Sequence, residues 1–337
     1  MTRFKYIVFS VIPLLLLLVS LEVFFRLAGI GKPFLTTLPI WDGPLEILLP
    51  DPDIGFRLKP NSASGCITLN ALGFRDHELN QKADIKILCL GDSVAFGWGV
   101  TDPSNTYSGV LEKILKEKAA AVGKTVEVFN GGIPSYQLYQ GVGLYLHHLA
   151  KVTNWDYVIC SFGWNESGEP GTVDQLGRED AVMLDYIRRN PSDENGLVKK
   201  LRNGAERLWL YNGMESLYVQ IMLADEIRNA NYPFLVYERQ LTDFARAVKG
   251  NHARPVFLAI QVKEEDKGNN YQQVMLRFNS SAKKVAEKEQ ALFIETDLLF
   301  QKERPGWYDH VHFDEQGHRI IAESLGIILT RELNIPW

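Results

Sequence analysis

From residue 85 onward, the sequence alternates five short apolar runs with longer segments that carry apolar residues on one helical face. The runs have the length of strands and span residues 85–90, 126–130, 156–162, 255–260 and 291–296. The intervening segments, such as YSGVLEKILKEKAAA, have the periodicity of amphipathic helices. Apolar strands that alternate with helices are typical of a parallel sheet covered on both faces. The sequence therefore predicts an α/β fold with a five-stranded parallel sheet and right-handed crossovers.

A long apolar segment, YIVFSVIPLLLLLVSLEVFF at residues 6–25, precedes this pattern. About 20 helical residues are long enough to cross the ~30 Å hydrocarbon core of a bilayer. A cleaved signal peptide is the alternative, but its apolar region is usually shorter and ends in small residues that resemble A-x-A. We therefore expect residues 1–29 to form an uncleaved transmembrane signal anchor. Arg3 and Lys5 precede the span, which favours a cytoplasmic N-terminus and places the rest of this single-pass protein in the periplasm or outside the cell.

Composition divides the rest of the chain into two parts. Residues 30–83 are rich in Pro, Gly and Asp and contain short extended pieces, which predicts a stalk and a small β-rich extension. Residues 84–337 contain the alternating pattern and are expected to be the functional domain. A polar stretch with amphipathic segments interrupts them at about 168–235 and predicts a helical insertion.

The composition also argues against several classes of partner. The net charge of −5, without a dense Lys/Arg block, predicts no nucleic-acid partner. Three cysteines are too few for a disulfide framework. The sequence contains no G-x-S-x-G motif, and its partial matches to phosphate-loop and dinucleotide motifs each lack a required glycine. We therefore expect no cofactor.

Polar residues follow three of the predicted strands and precede the last predicted helix. Gly91, Asp92 and Ser93 follow the first run, the loop NGGIPSYQ follows the second, and Asn165 follows the third. The stretch DHVHFDEQGH at 309–318 lies directly before the final helix. Ligands of parallel α/β sheets bind beyond the carboxyl ends of the strands, so we expect these blocks to meet at one edge.

Two kinds of chemistry are compatible with these residue types. A serine becomes nucleophilic when an imidazole takes its proton, and the imidazole needs a carboxylate at its other nitrogen. Asp309 and His312 are spaced to act as such a pair for Ser93, with backbone N–H groups and an Asn165 amide as oxyanion donors. Alternatively, positions 310, 312 and 314 form H-x-H-x-D, a spacing that many metallohydrolases use.

The four blocks resemble the ordered motifs of the SGNH, or GDSL, hydrolase superfamily over roughly residues 84–333. The resemblance implies a flavodoxin-like α/β/α sandwich, with Ser93 as nucleophile, His312 as base and Asp309 as its partner. It implies an oxyanion hole formed by Ser93, Asn165 and the second block, where Ser135 stands at a position that is usually glycine. A serine would be strained there if the backbone needs an angle that suits only glycine. Residues 51–78 are similar to the extension that precedes the first block in membrane-anchored members.

The resemblance also bears on the metal hypothesis. In the metallo-β-lactamase form of H-x-H-x-D, another histidine follows directly, whereas Glu315 stands at that position here. The other histidines show no ligand spacing. We therefore expect no metal, and we expect His318 to be a packing residue.

Aromatic residues in and beside the blocks suggest a substrate with sugar rings, and Trp164 and Trp307 are the candidates for substrate contact. Together these features predict a membrane-anchored serine esterase. We expect it to remove O-acetyl or other short acyl groups from an envelope polysaccharide, glycan or small ester through an acyl-serine intermediate. The alternatives are an O-acyltransferase on the same class of substrate, a lipid esterase, and a non-catalytic glycan-binding scaffold.

Overall fold

The computed structural model describes residues 3–30, 45–51, 53–166, 231–263, 270–295 and 306–335, and the short pieces 205, 208–211, 213, 214 and 217. Most of the predicted stalk and most of the predicted insertion at 168–235 lie outside the described residues. The first element is helix α1, Arg3–Ala28. Its window Val11–Ala28 has a mean hydropathy of 2.3, so by length and composition this helix could cross a membrane or serve as a signal sequence.

The extension before the sheet forms two small antiparallel hairpins. The first pairs β1, Leu48–Asp51, with β2, Gly55–Leu58. The second pairs β3, Ala63–Ser64, with β4, Ile67–Thr68. Ile54, Phe56 and Leu58 are buried in the same hydrophobic core as the central sheet, so the extension packs onto the rest of the protein.

The central sheet has five parallel strands in the order β6-β5-β7-β8-β9. The strands are β5 at Ile85–Gly91, β6 at Val126–Gly132, β7 at Tyr157–Ser161, β8 at Arg254–Leu258 and β9 at Leu292–Ile294. This is the flavodoxin-like strand order: β6 is added on one side of β5, and the later strands are added on the other side. The predicted α/β fold with a five-stranded parallel sheet is confirmed.

Six helices accompany the sheet in the described part of the domain. They are α2 at Ser93–Phe96, α3 at Tyr107–Ala120, α4 at Leu138–His147, α5 at Tyr232–Gly250, α6 at Asn270–Glu289 and α7 at Glu315–Glu332. Helix α3 packs against α7, whereas α4 and α6 pack against α5. The helices thus form two groups, as expected when a parallel sheet is covered on both faces.

Strand β6 lies at one edge of the sheet, and side chains bind its outward N–H groups. The N–H of Val128 donates to Oε1 of Glu112 at 3.2 Å, and the N–H of Asn130 donates to Oδ2 of Asp76 at 2.6 Å. The N–H of Gly132 donates to Oδ1 of Asn130 at 2.9 Å. These contacts also connect β6 to α3 and to the extension.

Candidate active site

Ser93 lies at the carboxyl end of β5, as the first residue of the short helix α2. Asp92 caps this helix, because its Oδ1 accepts the N–H of Val94 at 2.9 Å. Gly91 is required where the strand turns, since a Cβ there would lie 2.6 Å from the carbonyl oxygen of Ser161 and 2.5 Å from the Cβ of Ala95. In the sequence Gly-Asp-Ser, the glycine therefore ends a buried strand and the aspartate caps a helix. The serine places its hydroxyl at the carboxyl end of the sheet.

Ser93, His312 and Asp309 form a continuous hydrogen-bonded chain. The Nε2 of His312 lies 2.8 Å from Oγ of Ser93, and its Nδ1 lies 2.7 Å from Oδ2 of Asp309. The other oxygen of Asp309 accepts the N–H groups of Val311 and His312, both at 2.7 Å. The structure thus brings Ser93 next to Asp309 and His312, although His312 lies 219 residues after Ser93 in the sequence.

The charge of Asp309 determines which nitrogen of His312 carries the proton. Burial raises the pKa of Asp309, but the N–H of His312, its ring and the N–H of Val311 outweigh burial and lower the pKa below its ordinary value. The carboxylate is therefore ionised and accepts the Nδ1 proton of the ring. Nε2 is left as an acceptor that faces the hydroxyl of Ser93, which is the arrangement a general base requires.

Two of the three predicted oxyanion residues, Ser135 and Asn165, lie in loops that are hydrogen-bonded to each other. Ser135 has a φ of 63°, in the left-handed region that favours glycine. The side-chain amide of Asn165 donates to the carbonyl of Tyr136 at 2.8 Å, and Gln137 donates to the carbonyl of Asn165 at 3.2 Å. Glu166 adds a short hydrogen bond, since its carboxylate accepts the N–H of Leu138. The two loops that would supply oxyanion donors are therefore held as one unit.

The aromatic candidates have different environments. Trp164 is buried, with 9% of its surface exposed, and lines a cavity of about 20 Å³ together with Val94 and Phe313. Trp307 is half-buried, with its ring centre 4.3 Å from that of Phe313. Trp98, another aromatic residue of the block that contains Ser93, has its ring centre 6.4 Å from that of His312.

The other members of the motif at 309–318 have separate environments. His318 is fully buried, and its Nδ1 accepts the N–H of Tyr107 at 3.1 Å. His310 is exposed. Asp314 caps helix α7 by accepting the N–H groups of Gln316 and Gly317. The aspartate of the H-x-H-x-D pattern therefore has a structural role as the cap of helix α7.

A cluster of potential metal ligands lies elsewhere, at His77, Glu112 and Glu127. The Nε2 of His77 lies 2.9 Å from Oε1 of Glu127, and its Nδ1 lies 2.8 Å from Oδ1 of Asp76. Asp76 and Glu127 raise the pKa of His77 to about 10, against a smaller opposing effect of burial. Both ring nitrogens therefore keep a proton near neutral pH, and the cluster is an ion-paired group.

Comparisons with known proteins give one family match and several similar solved structures. Residues 89–320 match the model of the GDSL-like Lipase/Acylhydrolase family. An acetylxylan esterase from Geobacillus stearothermophilus (Axe2) is 16% identical, with a TM-score of 0.47, over 77% of this chain and 98% of the esterase. The α/β hydrolase LAE5 from the metagenome of Lake Arreo is 14% identical, with a TM-score of 0.46, over 72% and 94% of the two chains.

TesA is 14% identical, with a TM-score of 0.43, over 73% of this chain and 98% of its own. No curated protein sequence matches the chain. The family match covers more than half of the sequence and includes the blocks that contain Ser93, Asn165, Asp309 and His312. The chain therefore belongs to the GDSL-like lipase/acylhydrolase family of the SGNH superfamily and is a hydrolase that acts on ester bonds.

Proposed function

We propose that the protein is a serine esterase that removes O-acetyl or other short acyl groups from an envelope polysaccharide or a similar glycan. The observation that carries this proposal is the chain of hydrogen bonds from Ser93 through His312 to Asp309, with donor–acceptor distances of 2.8 and 2.7 Å. These are the distances at which a histidine can remove a proton from a serine while a carboxylate holds its tautomer.

The reaction would proceed through an acyl-serine. As Nε2 of His312 takes the hydroxyl proton, Oγ of Ser93 attacks the ester carbonyl carbon, and the carbonyl oxygen becomes an oxyanion. The backbone N–H groups of Ser93 and Ser135 and the side-chain amide of Asn165 are the proposed donors to it. The imidazolium, paired with Asp309, then gives its proton to the leaving alcohol. Water attacks the acyl-serine in the same way, and its proton passes through His312 back to Ser93.

Two observations support a sugar-containing substrate close to a membrane. Trp307 and the exposed Tyr308 offer aromatic surface next to Asp309, which suits the apolar faces of sugars. Helix α1 would hold the catalytic domain, residues 84–337, near the membrane, with the charges of Arg3 and Lys5 favouring an external active site.

The proposal is tested with the full-length protein in detergent micelles, using hydrolysis of an aryl acetate. Wild type is expected to turn over, and Ser93→Ala and His312→Ala are expected to lose at least about 10³-fold in kcat. His310→Ala is the matched control, because this exposed histidine of the same motif has no part in the hydrogen-bonded chain. Activity in Ser93→Ala equal to wild type would refute the proposed nucleophile.

The same preparation distinguishes the alternatives. Loss of turnover on adding a chelator would point to metal-dependent chemistry instead of a serine relay. Mass spectrometry of an oligosaccharide mixed with an acetyl donor separates hydrolysis, which releases acetate, from transfer, which makes the sugar heavier by one acetyl group. Release of long acyl chains from lipid, without action on acetylated sugar, would contradict the proposed substrate class.

A further inference from the structure

A tight turn in the extension, residues 70–75, aims one buried side chain at the catalytic region. Oδ1 of Asn70 accepts the N–H groups of Leu72 and Phe74, at 2.9 and 3.0 Å, and its amide donates to the carbonyl of His77. Gly73 completes the turn at a φ of +84°, where a Cβ would lie only 2.4 Å from the carbonyl oxygen of Leu58. The side chain that this turn presents is that of Arg75.

The guanidinium group of Arg75 binds the loop that follows the Ser93 helix. Its side chain is 2% exposed and donates to four main-chain carbonyl groups in residues 96–101. Nη1 contacts the carbonyls of Phe96 and Gly97, at 3.2 and 3.0 Å, and Nη2 contacts those of Val100 and Thr101, at 2.5 and 2.8 Å. One planar group thus fixes both ends of the loop, which a single ammonium could not do.

The choice of partners for this charge is unusual for a buried arginine. Within the described part of the chain, no carboxylate lies within 4 Å of the guanidinium, and main-chain carbonyl dipoles take that place. Phe96 is the last residue of α2 and Gly97 its C-cap, and carbonyl groups at a helix end otherwise lack intrahelical donors. Phe96 also places its ring 5.2 Å from the guanidinium carbon. The cation is therefore matched to this loop and to the end of this helix.

The loop that Arg75 holds contacts both the residue proposed as nucleophile and the loop of the proposed base. The N–H of Trp98 donates to the carbonyl of Ser93 at 3.0 Å, and the Trp98 ring lies beside the ring of His312. Gly99, at a φ of +89°, packs against the ring of Tyr308, whose N–H donates to the carbonyl of His312 at 2.9 Å. A shift of this loop would therefore change the separation between Ser93 and His312.

The neighbouring residue supplies a second connection to the same helix. Oδ2 of Asp76 accepts the N–H of Asn130, and the side-chain amide of Asn130 donates to the carbonyl of Ala95 at 2.9 Å. Residues 75 and 76 thus reach the Ser93 helix by two routes, one direct and one through β6. Both residues lie before residue 89, where the family match begins.

We propose that Arg75 is a positioning residue of the esterase, which sets the alignment of Ser93 with His312 by fixing the carbonyl groups of residues 96–101. The inference rests on the proposed function, because it concerns the rate of the Ser93 reaction. It makes the extension a working part of the active site, although no atom of Arg75 needs to touch the substrate.

The test compares Arg75→Gln, Arg75→Lys and Arg57→Gln in the full-length protein. Arg57 is the matched control, since it is an arginine of the same extension that pairs with Asp51 in the first hairpin. A fluorophosphonate that labels the active serine first gives the fraction of competent sites in each preparation. Aryl acetate hydrolysis then gives kcat per labelled site and KM.

Arg75→Gln is expected to lower kcat per competent site about 10²-fold with KM within threefold of wild type, because a misplacement of about 1 Å costs that much in rate. Arg75→Lys keeps the charge but cannot span four carbonyls, so we expect an intermediate loss. Arg57→Gln should stay within threefold of wild type. If Arg75→Gln does not fold, the intermediate loss in Arg75→Lys decides the question.

Two results would overturn the inference. In one, both Arg75 variants would have fewer competent sites but wild-type kcat at each, which would make the residue purely structural. In the other, Arg57→Gln would lose as much kcat per site as Arg75→Gln, and the effect would belong to the extension as a whole. Failure of the proposed function has a different signature, because wild type itself would then show no labelling that depends on Ser93.

Discussion

We expect the buried ring of His318 to make the unfolding free energy of the protein fall steeply in mild acid. The ring is fully buried, and burial, followed by the electrostatic effects of Arg75 and His312, lowers its pKa from 6.5 to about 3. In the unfolded chain the ring would take up a proton below pH 6.5, whereas in the folded protein it stays neutral until about pH 3. The stabilisation is therefore complete above pH 6.5 and is lost as the pH falls toward 3.

The size of the loss follows from the width of this window. Each pH unit between the two pKa values costs about 1.4 kcal/mol of unfolding free energy. Acidification from pH 6.5 to pH 4.5 should thus remove roughly 3 kcal/mol through His318 alone. That is a substantial share of the ~5–15 kcal/mol that stabilises a typical domain.

The assay is urea unfolding of the full-length protein in detergent, followed by tryptophan fluorescence at pH 7 and pH 4.5. His318→Asn replaces the titrating ring with an amide oxygen that can still accept the N–H of Tyr107. The variant should be less stable at pH 7, because the ring no longer packs against Tyr107 and Phe313. Its loss between the two pH values should be smaller than that of wild type by roughly 3 kcal/mol.

The comparison cancels other acid-sensitive groups, since they are present in both proteins. His310→Asn serves as the control, because that ring is exposed. Its loss of stability between pH 7 and pH 4.5 should equal that of wild type. Equal acid losses in wild type and His318→Asn would refute the reasoning. The buried ring would then have to accept a proton in the folded state without cost.

The same structure leads to three further expectations. Asp309→Asn should lower kcat about 10⁴-fold with little effect on folding, because an amide in place of the carboxylate permits the wrong tautomer of the base; an aryl acetate assay with near-wild-type activity would contradict this. Ser135→Gly and Ser135→Ala should both keep kcat within a few-fold of wild type, because the proposed donor is the backbone N–H. The unfolding free energy of the glycine variant should stay within about 1 kcal/mol of wild type, since glycine relieves the strain of the left-handed backbone but adds conformational entropy to the unfolded chain. His77→Gln should weaken the decline in stability between pH 7 and pH 9. The raised pKa of His77 stabilises the fold fully below pH 6.5, and that contribution is lost as the pH rises toward 10. Equal changes of Tm with pH in wild type and variant would argue against it.

Much of the sheet could be predicted because its strands are buried on both faces. Such strands are short continuous apolar runs, and each of the five predicted runs overlaps a strand of the sheet. The end of β6 was predicted wrongly at residue 130, although the strand continues through Gly131 and Gly132. Glycine has a low strand propensity, but these two residues pair with Leu90 and Gly91 of β5. Tertiary pairing therefore overrides the local signal.

The start of α5 shows the same limit at a helix boundary. The predicted insertion extends to about residue 235, whereas α5 begins at Tyr232. Pro233 lies in the first turn, where the missing N–H has no intrahelical acceptor to lose. A proline can thus lie just before a helix or in its first turn, so it does not fix the residue at which the helix begins.

The proposed site could be located from the sequence to the extent that its residues lie in loops beside the predicted strands and the last predicted helix. Ser93, Asp309 and His312 carry their own signal, because serine, carboxylate and imidazole at one sheet edge imply a particular chemistry. Arg75 and Asn130 carry no such signal. Their partners are main-chain carbonyl groups far away in the sequence, and only the folded structure shows which carbonyls those are.

The free edge of β6 has a consequence for the behaviour of the protein among its own copies. An edge strand with unpaired N–H groups is a template onto which a strand from another chain can add. In β6 the outward donors of Val128, Asn130 and Gly132 are all bound by side-chain oxygens. Two of these oxygens belong to carboxylates, which would also repel an approaching carbonyl. These side-chain hydrogen bonds, one of them from the extension, thus protect this edge from aggregation.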